Sequence, residues 1–153
     1  MREEIISFNL SLKEDWKNGS LPKLWKKRYP KLFDDNDLRI ALSQPQYHFP
    51  EWLAAIHLFK KGFDVLVEQY IYKPHARKIK IVEKIIGKEN LSFLRNEKIK
   101  NRDQPPDLFV YNNKGFFFVE VKQPRDKLRE NQIKFFKGIE KRLKTEVIIL
   151  RLV

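Results

Sequence analysis

Along the chain the spacing of apolar positions changes several times, and each change marks an element. Across residues 50–61, Trp52, Ala55, Ile56, Leu58 and Phe59 fall on one arc at about 100° per residue, which predicts an amphipathic helix. Pro50 suits its first position and Glu51 its first turn. Glu51 lies inside the apolar arc, between the directions of Leu58 and Ala55, so its carboxylate is aimed at the protein. His57, Lys60 and Lys61 point away, and His57 reads as a surface histidine. Gly62 stops the helix. Residues 63–72 then read as a strand that includes Glu68, whose face the pattern leaves open. Two helical stretches, near 76–86 and 89–98, are parted by Gly87, and 101–106 is a Pro-containing loop. Residues 107–111 and 116–122 are aromatic and β-branched runs on either side of Asn112-Asn113-Lys114-Gly115, which predicts a hairpin with a loop of about four residues. After a turn at 123–127, an apolar stripe of Leu128, Ile133, Phe135, Phe136, Ile139 and Leu143 predicts a helix over 128–143. Residues 146–152 form a last apolar strand.

The opening fifty residues are less regular. Residues 3–16 show loose helical periodicity, broken by Asn18-Gly19-Ser20 and Pro22. Residues 23–31 are basic and aromatic, with Trp25, Tyr29 and, just beyond, Phe33; they read as a small amphipathic helix packing its aromatics on the domain, the alternative being a surface that grips phosphates and stacks bases. Asp34 to Asp37 resembles an N-cap for a helix over 38–43. The expected architecture is one α/β domain: a mixed central β-sheet flanked by helices. A helical extension, residues 1–47, packs on a core of residues 48–153. The core carries a helical insertion at about 74–101, read either as a basic arm clamping nucleic acid or as a solvated pair bridging the fold.

Charge adds a partner to this picture. The 153 residues carry a net +12. Residues 1–50 hold nine Lys/Arg against seven Asp/Glu, residues 51–105 twelve against seven, and residues 106–153 eleven against six. The excess therefore lies with the second and third parts, as a phosphate-backbone binder requires. Absence of cysteine excludes disulfides, thiolate catalysis and Cys-based zinc sites. No apolar run approaches the roughly 18 residues of a membrane-spanning helix, and Met1-Arg2-Glu3-Glu4 is no signal peptide. A cytoplasmic protein with no membrane partner is expected.

The candidate chemistry sits on the hairpin. If Tyr111 pairs with Phe116, Asp107 stands opposite Glu120, and paired residues on one face have Cβ atoms about 4.5–5.5 Å apart. Strand alternation puts Glu120 and Lys122 on one side, with Val121 turned away. Two opposed carboxylates repel unless a cation lies between them, and hard divalent ions such as Mg²⁺ take carboxylate, carbonyl and water oxygens. Such an ion activates water and stabilises charge on a phosphate under attack; Lys122 can neutralise part of that charge.

Pro106-Asp107, then Glu120-Val121-Lys122, resembles the PD-(D/E)XK nuclease signature. The longer run of Pro106 to Val110, Phe118 to Leu128 and Gln132 is similar to its VRR-NUC branch, over roughly the last fifty residues and more loosely over 51–71. The resemblance implies a restriction-endonuclease-like core and a DNA nuclease selective for flaps or junctions, in repair, recombination or phage DNA processing. Asp107, Glu120 and the Val121 carbonyl would hold Mg²⁺ or Mn²⁺, and Lys122 would position water or stabilise the transition state. Glu51 is implied as a further acid, its alternative being a first-turn helix acid; Glu68 is the other candidate. Gln132 is implied to look back at the Glu-x-Lys strand, its alternative being a core glutamine bonded to backbone. Arg125, Lys127 and Arg129 would meet phosphates. A homodimer is the usual means by which a small nuclease cuts two strands. RNA as substrate stays open, as does a non-catalytic or partner-dependent nucleic-acid-binding module.

Overall fold

A computed structural model describes all 153 residues. Strands β1 (Glu3–Ile6), β2 (Asp64–Val67), β3 (Leu108–Asn112), β4 (Gly115–Lys122) and β5 (Val147–Leu152) form one sheet in the order β1-β5-β4-β3-β2. The pairs β1–β5 and β5–β4 are parallel, and β4–β3 and β3–β2 are antiparallel. The expected mixed sheet between helices is therefore present.

Alternation along the strands makes two cores. Val65, Val67, Leu108, Val110, Val119, Val121, Ile148 and Leu150 face one way. They meet α1 (Leu12–Lys17), α2 (Ser20–Arg28), α3 (Asp35–Ser43) and α4 (Phe49–Lys60). Leu66, Phe109, Phe118, Val147 and Ile149 face the other way. There α5 (Ala76–Ile86), α6 (Lys88–Asn101) and α7 (Glu130–Leu143) cover them. Val82, Ile86, Leu91 and Leu94 bury the inner face of the α5–α6 insertion, so that pair lies on the sheet.

Several boundaries differ from the expectation. Residues 3–16, read as helical, open with strand β1, because parallel pairing to β5 satisfies a backbone too short to specify itself. The hairpin loop is tighter than four residues: Asn112 pairs with Gly115, leaving Asn113 and Lys114 at the tip. Strand β2 stops at Val67, not at 72, because Glu68 and Gln69 take left-handed backbone angles, φ 52° and 55°. Helix α7 begins at Glu130 because the chain ahead of it is held as a turn by the Arg151 guanidinium, which donates to the Gln123 and Asp126 carbonyls, each at 2.8 Å. The Asp34 cap is present as a reciprocal box: its side chain accepts the Asp37 N–H while the Asp37 carboxylate accepts the Asp34 N–H.

The N-terminal layer is tied to the rest by a buried charge. Lys78 of α5 is 1% exposed. Its ammonium donates to Asp37 Oδ1 of α3 at 2.7 Å and to the carbonyls of Val67 at 2.6 Å and Glu68 at 3.3 Å. One side chain thus joins both helical layers to the end of β2.

Candidate active site

The two layers deliver their helix N-termini to the same end of the sheet. Glu51 lies in the first turn of α4 and Gln132 in the first turn of α7. Between them come the end of β2 with Glu68, the entry to β3 with Asp107, and the end of β4 with Glu120 and Lys122. The register is the one expected, Tyr111 opposite Phe116 and Leu108 opposite Val119. One step further, the Asp107 N–H donates to Glu120 Oε1 at 3.1 Å, and the Val121 N–H donates to Asp107 Oδ2 at 2.9 Å. The two acids are thus cross-linked, Glu120 to the Asp107 backbone and Asp107 to the backbone of Val121, the residue after Glu120.

Glu120, Lys122 and Gln132 are buried. Glu120 Oε2 accepts from Gln132 Nε2 at 2.9 Å and lies 3.3 Å from the Lys122 ammonium. Gln132 Oε1 accepts the Arg129 N–H at 3.0 Å and sits 3.5 Å from Lys122 Nζ. Gln132 therefore bridges the Glu-x-Lys strand to the start of α7, combining the two readings its sequence position left open.

Glu51, Glu68 and Asp107 offer carboxylate oxygens that all lie within 4.8 Å of one another. Glu51 Oε2 is buried with no hydrogen-bond partner, an arrangement that is costly unless a ligand completes it. Burial, then the neighbouring Glu68 carboxylate, pushes the Glu51 carboxyl up to about 7. Burial, then Glu120 and Glu51, raises Asp107 well above the carboxylate range. Glu68 is steadied by His48, whose Nδ1 lies 3.1 Å from its Oε1 while Nε2 meets Gln44. His48, too, has a left-handed backbone, φ 76°.

Glu51, Asp107, Glu120, Lys122 and Gln132 are thus brought together, and Glu68 joins them. Val121 takes part through its N–H. Arg125 and Lys127 are exposed on the turn after β4. Arg129 is exposed but engaged, its guanidinium on Asp103 at 2.7 and 3.2 Å. His57 is half-buried on α4 and has no partner in the site. His48 and its pairing to Glu68 had no sequence signal, since no motif spacing links positions 48 and 68.

An acid at the entry of one strand and Glu-x-Lys at the end of its neighbour, on a mixed sheet between helical layers, define the PD-(D/E)XK class of nuclease-type α/β domains. Within that class the chain belongs to the VRR-NUC domain family, whose model matches residues 45–151. No functionally curated protein matches the chain. Among three matching chains of solved structures is a crystal structure of paFAN1 bound to 2nt 5′ flap DNA with gap. It is 18% identical, with a TM-score of 0.35; the match covers 94% of this chain and 22% of that one. No helix is long and apolar enough to cross a membrane.

Proposed function

We propose that the protein is a metal-dependent nuclease hydrolysing phosphodiester bonds in DNA. The observation that carries this reading is the orphaned Glu51 Oε2, buried beside the converging Glu68 and Asp107 carboxylates. Carboxylates so placed in low dielectric take up either protons or a cation, and a bound cation is what would keep the cluster ionised at neutral pH. An all-oxygen donor set fits Mg²⁺ or Mn²⁺. Glu51, Glu68 and Asp107 would hold the ion, with Glu120 and the Val121 carbonyl as further donors; when bound it supplies a Lewis acid and an activated water.

The chain's own residues do the rest. Lys122 keeps a desolvated ammonium, held by Glu120 and Gln132, for the charge that builds on phosphate oxygens at the transition state. Gln132 fixes the carboxylate plane of Glu120 through its amide. Arg125 and Lys127 present cations to the substrate backbone, and Arg129 reaches it by exchanging Asp103 for a phosphate. Flaps or junctions met in repair, recombination or phage DNA processing suit a small basic domain of this family.

Purified protein is to be incubated with single-stranded, duplex, flapped and four-way-junction DNA in Mg²⁺, Mn²⁺ or EDTA. Asp107→Ala and Lys122→Ala are expected to lower cleavage by about a hundredfold or more while melting cooperatively. Wild-type rates from pure Asp107→Ala would sink the reading, and binding without cleavage on every substrate would replace it with a partner-dependent subunit.

A further inference from the structure

Surface clefts meet at one exposed side chain beside the carboxylates. The first, of about 290 Å³, has Glu68 and Asp107 in its wall together with Tyr72 and Lys98. The second, of about 620 Å³, shares Tyr72 and Lys98 and continues over Lys73 and Arg95 along α6. A third also uses Tyr72 as a wall. Tyr72 is 51% exposed, although its neighbours Tyr70 and Ile71 are buried.

The ring is exposed on a fixed backbone. The Tyr72 N–H donates to the Gln69 carbonyl at 3.2 Å, and the Tyr72 carbonyl accepts the His75 N–H at 3.0 Å. Arg95 Nε donates to the Ile71 carbonyl at 3.0 Å. Tyr70, two residues earlier, donates its hydroxyl to the Pro106 carbonyl at 2.5 Å, and Pro106 precedes Asp107. The backbone that carries the Tyr72 ring is therefore tied, through Tyr70, to the entry of the Asp107 strand.

We infer that Tyr72 is a stacking platform for an unpaired nucleotide base next to the cleavage centre, and that the strand carrying it runs on over Lys98, Lys73 and Arg95. This rests on reading Glu68 and Asp107 as part of that centre. A base inside a duplex has both faces covered by its neighbours, so along a strand a single exposed ring gains a stacking partner from a base that has left the helix, or at the terminal pair of a duplex end. The track is also the right charge. Lys73, Arg95 and Lys98 make no ion pair, and Arg95 bonds through Nε to a carbonyl, leaving its positive charge uncompensated. The site thus takes a single-stranded segment adjoining the scissile bond, as at a flap base or a frayed end.

Binding is to be measured in an Asp107→Ala host, which removes cleavage, using oligonucleotides with 2-aminopurine at unpaired positions. Anisotropy reads affinity and 2-aminopurine quenching reads stacking. Tyr72→Ala in that host is expected to abolish quenching and to weaken single-strand binding about five- to a hundredfold. Duplex affinity is expected to change less than twofold, and Tyr72→Trp to restore quenching. Equal quenching and affinity with and without the Tyr72 ring, or no quenching in the host itself, overturns the inference. Wild-type cleavage of the same oligonucleotides is followed separately. Quenching that depends on Tyr72 in a protein that never cleaves retires the nuclease reading and keeps the strand track. Cleavage indifferent to Tyr72→Ala, in protein that also shows no quenching, does the reverse.

Discussion

Replacing Glu51 by glutamine keeps its shape and removes its charge, and in metal-free protein the effect is expected to depend steeply on pH. The Glu51 carboxyl is raised from 4.5 to about 7, first by burial and then by the Glu68 charge, with Glu120 adding and His48 opposing. A carboxyl that holds its proton more tightly when folded contributes stability that is complete below 4.5 and is lost as pH rises through about 7. At about 1.4 kcal/mol per pK unit, the loss is about 1 kcal/mol at pH 5 and about 3 kcal/mol at pH 8. Glutamine escapes it. Glu51→Gln is therefore expected to gain about 2 kcal/mol on wild type between pH 5 and pH 8, or about 4–8 °C in melting temperature for a domain of this size. Thermal unfolding followed by circular dichroism in EDTA, at both pH values, reads this difference. Adding Mg²⁺ at pH 8 is expected to close the gap, because a bound ion stabilises the ionised cluster in wild type alone. A melting difference that is the same at both pH values, or a glutamine variant less stable than wild type at pH 8, would refute the electrostatic account.

Asp34 works in the opposite direction. Burial would raise its carboxyl, but the Asp37 N–H and the Arg77 guanidinium hold it at about 2, below the usual 3.8. Its contribution is present above 3.8 and is lost as pH falls through about 2, so Asp34→Ala is expected to cost about 1–2 kcal/mol at pH 7 and well under half of that at pH 2 in urea titrations. Gln132→Ala leaves Glu120 Oε2 without its amide donor and the Arg129 N–H without its acceptor. It is expected to cost about 1–3 kcal/mol by urea unfolding and to lower the cleavage rate.

How much of this was legible in the chain depends on how local the cause was. The Asp107–Glu120 juxtaposition was legible because turn residues and alternation set a hairpin register within a short span. The inward aim of Glu51 followed from one helical arc. Strand β1 was not legible, since four residues acquire their conformation from β5 at the far end of the sequence. Glu68 was legible as a candidate acid but its direction was not: the strand ends there through left-handed backbones at Glu68 and Gln69, and neither residue is a glycine that would have marked the turn. The burial of Lys78 had no signal in a lysine-rich helix, because its partner Asp37 lies in another layer.

The contact between Lys78 and Asp37 makes the shared family span different from the unit that folds. The family match starts at residue 45, whereas Asp37 lies before it. A protein cut back to residues 45–151 loses the Asp37 carboxylate together with the helical layer that carries it, and opens the Lys78 ammonium on that side. The same cut takes Trp16 and Phe33 away from Phe49 and Trp52, whose ring centroids they meet at 6.0 and 4.0 Å. It also frees the Val67 and Glu68 carbonyls to move with an ammonium that now seeks water, at the point where Glu68 enters the acidic cluster. The segment before residue 45 is thus a structural wedge beneath the site, and a graft of this domain onto another protein has to carry it along.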